Sequence, residues 1–388
     1  MKYVKPGWLL LGAWLLFSLS ACVGTLVYAA KGAYKAMSAT SNPPQSPPPV
    51  LRESRVWQQV HDELQEAVAN GAPGVSAIVM RSGHLLLRMN VGNIDGNAQL
   101  PVASASKWMT AALVMSVVDD GNLSLDEPIS KYLPEFSGPS GRVTLRELLA
   151  QTSGEGSLRD MIDIKQDPRI TLAESAALIA KRPLQHPPGT VFSYGGPGFQ
   201  VAGAAVEAVT GKRWAQLFDE RIARPLGMKH TYWEHLPNHG VPTSETLNPL
   251  LQGGVVTTAQ DYMRFLTMLA ENGSVDGKRV LSETAVREME TAQTIGKAKS
   301  YMPPGRPGGT AERAGIREGA AEYALGNWCE SWDAAHACIL VSSPGALGTF
   351  PWIDRKSGVY GIFFTRERLP HVIENFDKAR AAIIAAYP

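Results

Sequence analysis

Runs of β type stand at both ends of the folding part of this chain, and the stretch between them reads as helix and loop. Near the start, Gly74 to Met80 and His84 to Met89 are β-rich and separated by Arg81-Ser82-Gly83, a turn signal. Near the end, Tyr323 to Cys329, Ala337 to Ser342, Gly348 to Ile353 and Val359 to Thr365 are short and rich in aromatic or β-branched residues. Helical patterns fill the middle: Ser104 to Asp119, with an apolar stripe of Met109, Leu113, Val114 and Val117; Thr171 to Ala180; Gln200 to Val209; and Asp261 to Glu271 after the capping pattern Thr257-Thr258-Ala259-Gln260. Val56, Val60, Leu64 and Val68 mark an amphipathic helix ahead of the first hairpin, and His371 to Ala386 closes the chain as another. This order predicts an α+β fold, a β-sheet flanked by N- and C-terminal helices with an inserted, mostly helical lobe.

The first fifty residues do not belong to that fold. Trp8 to Ala30 is a run of 23 residues without a charge, preceded by Lys2 and Lys5, long enough to cross a bilayer core of roughly 30 Å as a helix. Three readings stay open: an uncleaved anchor, a lipoprotein signal in which Leu19-Ser20-Ala21-Cys22 resembles a lipobox and Cys22 carries the lipid, and a signal cleaved after Ala29. From Met37 to Val50 the chain is rich in Pro and Ser, a spacer stiffened towards polyproline II. The expected organisation is therefore 1–35 as anchor or signal, 36–51 as linker and 52–388 as the folded domain, held at the membrane with the domain in the periplasm or outside the cell. In such a compartment Cys329 and Cys338 suit a disulfide across a hairpin, two free thiols being the alternative. Net charge is only +1 and no run of five like charges occurs, which argues against nucleic acid as a partner.

One short motif carries nucleophilic chemistry. Ser104-Ala105-Ser106-Lys107 is an S-x-x-K, and on a helix its first and last side chains share a face, so an amine in a dry pocket reaches the hydroxyl. Burial lowers a lysine pKa from about 10.4 and makes it a base. Alone, the motif reads more readily as a Ser N-cap followed by a solvated lysine. Downstream, Tyr194 stands in the glycine-rich stretch Pro187 to Gly196, and Ser343-Pro344-Gly345 precedes a strand, where a tight turn offers backbone N–H groups to an oxyanion. Phe350 and Trp352 suit either a pocket wall or the core. His230, His235 and His239 are the residues nearest to a metal set, but Pro237 breaks any helical spacing between them, and no metal is expected. Nothing matches a G-x-S-x-G elbow, H-E-x-x-H, Walker A or G-x-G-x-x-G.

In order and spacing these three boxes resemble the serine β-lactamase and penicillin-binding protein superfamily, in its class C and family VIII esterase branch. Further matches are Asp120 to Pro128, the Leu148 to Gly154 segment, which looks like an L-L-x-H-T-S-G box with Gln151 in place of His, and Gly253 to Thr258 followed by Asp261. The resemblance implies an antiparallel sheet lobe and an acyl-enzyme mechanism without cofactor. It makes Ser104 the nucleophile, Lys107 its partner and Tyr194 the tyrosine that acts as, or shares the work of, the general base. The N–H groups of Ser104 and Ala346 would form the oxyanion hole, with Gly196, Ser343 and Gly345 in the substrate pocket. Two departures bear on substrate. Gly196 replaces the Asn of Y-x-N, so that water or another side chain has to satisfy Lys107, and Ser343 replaces the third-box cation that attracts a substrate carboxylate. The expected substrate is a small ester, amide or peptide, with hydrolysis esterase-like rather than that of an efficient β-lactamase. A β-lactamase, a D-amino-acid peptidase and a catalytically weak sensor domain are the alternatives, and the oligomeric state is not legible.

Overall fold

The computed structural model describes residues 55–156, 164, 167, 169–235, 246–299 and 321–387. The 1–35 and 36–51 segments, with Trp8 to Ala30 and Cys22, lie outside these residues, as does His239. Among the described residues no helix is long and apolar enough to cross a membrane.

Helix α1 (Arg55–Ala69) leads into β1 (Gly74–Arg81) and β2 (His84–Gly92), joined by a turn in which Ser82 and Gly83 both take positive φ, 46° and 76°. That pair of left-handed residues matches the twist of a tight hairpin. A short strand β3 (Leu100–Pro101) precedes a one-turn 3-10 segment (Ala103–Ala105) and helix α2 (Ser106–Asp119). The middle carries α3 (Leu145–Leu149), α4 (Leu172–Ala180), β4 (Val191–Phe192), α5 (Gly198–Thr210), β5 (Tyr232–Trp233), β6 (Val255–Thr257) and α6 (Ala259–Ala270). Four antiparallel strand pairings then join β7 (Glu322–Tyr323), β8 (Trp328–Trp332), β9 (Cys338–Ser342), β10 (Phe350–Asp354) and β11 (Val359–Phe364) before the closing helix α7 (Leu369–Ala386).

The main sheet has seven strands in the order β7-β8-β9-β10-β11-β1-β2, so the last long strand of the chain pairs with the first, antiparallel, Ile78 opposite Ile362. On one face α1 and α7 pack together. Trp57, Val60 and Leu64 meet Val372, Phe376 and Ile383 over the sheet, and each fully buried side chain of this size contributes roughly 1.5–3 kcal/mol. Val56 and Val68 are only half-buried, because the inward face of α1 is rotated towards Trp57 and Ala67. Phe350 and Trp352 lie in this same layer, so they are core residues and not a pocket wall.

Two expectations are corrected. Helix α2 has no stripe: every residue from Ser106 to Val117 is buried, because the helix runs between the sheet and the helical lobe and meets protein all round. The run from Tyr323 to Cys329 is two strands rather than one. Gly326, at φ +82°, turns the chain between β7 and β8, and Ala324 N–H donates to the Asn327 carbonyl at 2.9 Å. A small sheet, β3-β6-β5, completes the described strands that bear on the site.

Cys329 and Cys338 are joined by a disulfide across the β8–β9 hairpin, with their Cα atoms 5.4 Å apart. Closing a loop of this length restrains the unfolded chain by about 3 kcal/mol. Changing both cysteines to serine is therefore expected to lower the melting temperature of the domain by several degrees, and reductant should lower the wild type by as much while leaving the double variant unmoved. Equal melting temperatures would show that the crosslink adds no stability.

Candidate active site

Ser104 sits in the 3-10 turn at the head of α2, directly after Ala103, whose φ is 46°. A residue with a side chain occupies this region at a cost on the order of 1–3 kcal/mol, and it persists only where the surroundings fix it. They do so here. Val102 N–H donates to the Val255 carbonyl at 3.0 Å, Val255 N–H donates to Ser106 Oγ at 3.0 Å, and Ser106 Oγ–H donates to the Ala103 carbonyl at 2.6 Å. From α6, the Tyr262 hydroxyl reaches the Ala105 carbonyl at 2.7 Å. Ser106 is thus a buried clamp of the turn, while Ser104 is left at its partly open edge.

Lys107 is buried, and its Nζ donates to Ser104 Oγ at 3.0 Å and to the Gln252 carbonyl at 2.9 Å. The second bond supplies what sequence assigned to water or another side chain. A backbone carbonyl of the Gln252-Gly253-Gly254 loop accepts from the amine in a chain that has no Y-x-N asparagine. Nζ also lies 4.7 Å from the ring centroid of Tyr194 and 5.9 Å from that of Phe199, faces that favour a cation.

Tyr194 reaches the same hydroxyl. Burial pushes its phenol up to about 12, a hydrogen bond with Ser104 pulling the other way, so the group holds its proton at neutral pH. Its ring stacks on Trp328 at 5.3 Å with 21° between the planes, and Phe192 and Tyr323 complete the aromatic patch. The loop is tied by Gln151, whose side-chain oxygen accepts from Gly195 N–H at 2.6 Å and whose carbonyl accepts from Ser193 N–H at 2.9 Å. Gly196 has room: a Cβ there would meet nothing closer than the Gly156 carbonyl oxygen at 3.5 Å.

The third box closes the site from the end of β9. A Cβ on Gly345 would stand 2.0 Å from the Val102 carbonyl oxygen, so only glycine lets this turn lie against the chain leading into Ser104. Ala346 is exposed, and its N–H makes no hydrogen bond to another described residue. Ser343 is buried, its hydroxyl 3.5 Å from the Gly326 carbonyl, and it brings no charge. Ser104, Lys107 and Tyr194 thus meet from the 3-10 turn, α2 and the loop before α5, while beyond the end of β9 Gly345 lies against Val102 and Ser343 against Gly326. The histidines do not join them. His230 pairs with Gln99 at 3.2 Å, and His235 faces the Asn248 carbonyl at 2.7 Å. Gln252 and Trp328 were missed in the sequence, since a carbonyl contact leaves no side-chain signal and Trp328 lies in an ordinary strand pattern.

Residues 59–386 match the family model described as Beta-lactamase. Protein Rv1367c of Mycobacterium tuberculosis is 28% identical over 347 residues, 75% of this chain and 82% of that protein. Esterase EstB of Burkholderia gladioli is 33% identical over 183 residues, 40% of this chain and 46% of the esterase. Among solved structures, a putative beta-lactamase from Bacteroides dorei superposes with a TM-score of 0.66 at 33% identity, covering 80% of this chain and 95% of that one.

Beside this site Glu155 is buried, and loss of hydration pushes its carboxyl up to about 7, with only the Ser153 hydroxyl, 3.1 Å away, favouring the charge. Its Oε1 has no partner among the described residues. The folded state therefore keeps a proton that the unfolded chain releases from about pH 4.5. This contribution is fully present below that pH and is lost as pH rises through 7. Glu155→Gln should make the domain more stable than the wild type at pH 8 by up to about 3 kcal/mol relative to the difference at pH 4.5. Parallel stability–pH curves for the two proteins would show that Glu155 is not the group that titrates.

Proposed function

The chain belongs to the beta-lactamase family of serine hydrolases, and from this we propose that it hydrolyses small, uncharged esters through an acyl-enzyme on Ser104. The observation that carries the reading is the 3.0 Å contact from Lys107 Nζ to Ser104 Oγ at the head of a buried helix. In the proposed sequence Lys107, in its neutral form, takes the Ser104 proton as Oγ attacks the substrate carbonyl carbon. The negative oxygen then accepts from the N–H groups of Ser104 and Ala346. On collapse the C–O bond to the alcohol breaks, and the leaving oxygen takes a proton through Tyr194, which the Lys107 proton replaces. Water attacks the acyl-enzyme by the same route in reverse, releasing the acid and restoring Ser104. Tyr194 serves as a proton carrier beside Lys107 rather than as a standing phenolate, in keeping with a phenol pushed up to about 12.

The preference for esters rests on Gly196 and Ser343. A penicillin brings an acylamino amide and a carboxylate, and with neither the asparagine nor the third-box cation both groups lose water without a matching partner. A short acyl ester asks only for the nucleophile, its proton acceptor and the oxyanion donors. EstB, similar over part of its length, is named an esterase. We place the enzyme at the membrane with its domain outside the cytoplasm, as supported by the uncharged Trp8 to Ala30 run and the Cys329–Cys338 disulfide.

With p-nitrophenyl butyrate and nitrocefin as paired substrates, kcat/KM is expected to favour the ester by at least about 10³, or about 4 kcal/mol in transition-state binding. Gly196→Asn combined with Ser343→Lys should narrow the gap, and Lys107→Ala should lower kcat on the ester by at least about 10². Equal turnover of the two substrates by the wild type would replace the esterase with a β-lactamase.

A further inference from the structure

Gln151 lies two residues beyond α3 with a φ of 57°, a left-handed conformation that a glutamine adopts only under constraint, and its side chain is buried. Its two oxygens bind the N–H groups of the two residues that flank a third: the backbone carbonyl takes the N–H of Ser193, at 2.9 Å, and the side-chain oxygen takes the N–H of Gly195, at 2.6 Å. The residue between them is Tyr194. Packing does little to hold the far side of this loop. A Cβ on Gly195, where φ is 96°, would meet nothing within 4 Å, and one on Gly196 nothing closer than 3.5 Å. A Gly-Gly pair is the most costly dipeptide to order, so a specific bond has to supply the restraint that contact does not. The remaining amide nitrogen of Gln151, close to the Tyr323 hydroxyl, is buried without a well-formed hydrogen bond among the described residues. Its side-chain oxygen is therefore the part of the amide engaged with the loop.

We infer that Gln151 is a positioning residue, which fixes the phenol of Tyr194 against Ser104 and Lys107 by holding the N–H groups of its neighbours Ser193 and Gly195, and which acts on the reaction only through Tyr194. The inference rests on the proposed role of Tyr194. Gln151→Leu removes the side-chain acceptor at similar volume and leaves the backbone bond to Ser193. It releases Gly195 and removes the amide nitrogen beside the Tyr323 hydroxyl.

The test is a double-mutant cycle on p-nitrophenyl butyrate with Tyr194→Phe. Gln151→Leu is expected to lower kcat by roughly 10- to 100-fold with KM within about 3-fold, since the loss lies in proton transfer and not in binding. In the Tyr194→Phe background the same change should cost less than about 2-fold. Gln151→Glu, which has the same shape and accepts the same bond, should stay within about 5-fold of the wild type, and it serves the test if the leucine variant does not fold. Wild-type kcat in Gln151→Leu, or an equal loss in both backgrounds, overturns the inference while leaving Tyr194 in place. Near-normal kcat in Tyr194→Phe itself removes the role of the tyrosine, and the inference falls with it.

Discussion

An amine 3.0 Å from a serine hydroxyl, inside a helix with no exposed turn before Val118, is the interaction around which this domain is built. Lysine is seldom buried, because taking an ammonium out of water costs several kcal/mol unless partners replace the lost hydration. Here the partners include the Gln252 carbonyl at 2.9 Å and two aromatic faces. The sheet lobe and the helical lobe close on either side of α2, and their contact excludes water from the amine. In the proposed reaction the neutral amine takes the Ser104 proton, whereas a lysine left in solvent beside Ser104 would be a protonated bystander.

Around that pair the backbone contributes as much as the side chains. The positive φ of Ala103 aims Ser104, and the Val255 and Tyr262 contacts hold that turn in shape. Gly345 comes close enough to Val102 that no other residue fits, which holds the turn before Ala346 against the chain leading into Ser104. Gln151 ties the tyrosine loop. None of these features depends on a charge that would attract a substrate anion, and the third box carries only the buried Ser343. In the proposed reaction the Ser104–Lys107 contact moves the proton from serine. The absence of a Y-x-N asparagine and of a third-box cation is what supports the proposed preference for small, uncharged esters.

Much of this was legible in the chain. The hairpin at Ser82-Gly83, the capped α4 and α6, and the closing helix follow from local rules, because turn chemistry and capping residues act over a few positions. The S-x-x-K spacing is itself a statement about a helix face. Less was legible where the structure depends on distant segments. The all-round burial of α2 follows from two lobes meeting, which no periodicity within Ser106–Asp119 encodes. Trp352 sits close to the third box in the chain yet faces the opposite layer, because successive strand residues alternate faces. The contact of Lys107 with the Gln252 carbonyl joins residues 145 positions apart through a backbone atom, which any residue would offer. Gln151 was visible as a departure from a family box, but its two bonds to the Tyr194 loop appear only in three dimensions.

The claim on which all of this turns is that the hydroxyl of Ser104 forms a bond with the substrate. Acid quenching of the enzyme during turnover of p-nitrophenyl butyrate, followed by peptide mapping by mass spectrometry, tests it directly. The account predicts one butyryl group per chain, located on Ser104, absent from Ser104→Ala and depleted as the ester is consumed. A butyryl group on Ser106, Ser193 or Ser343, or turnover with no acyl adduct at any time point, would contradict it.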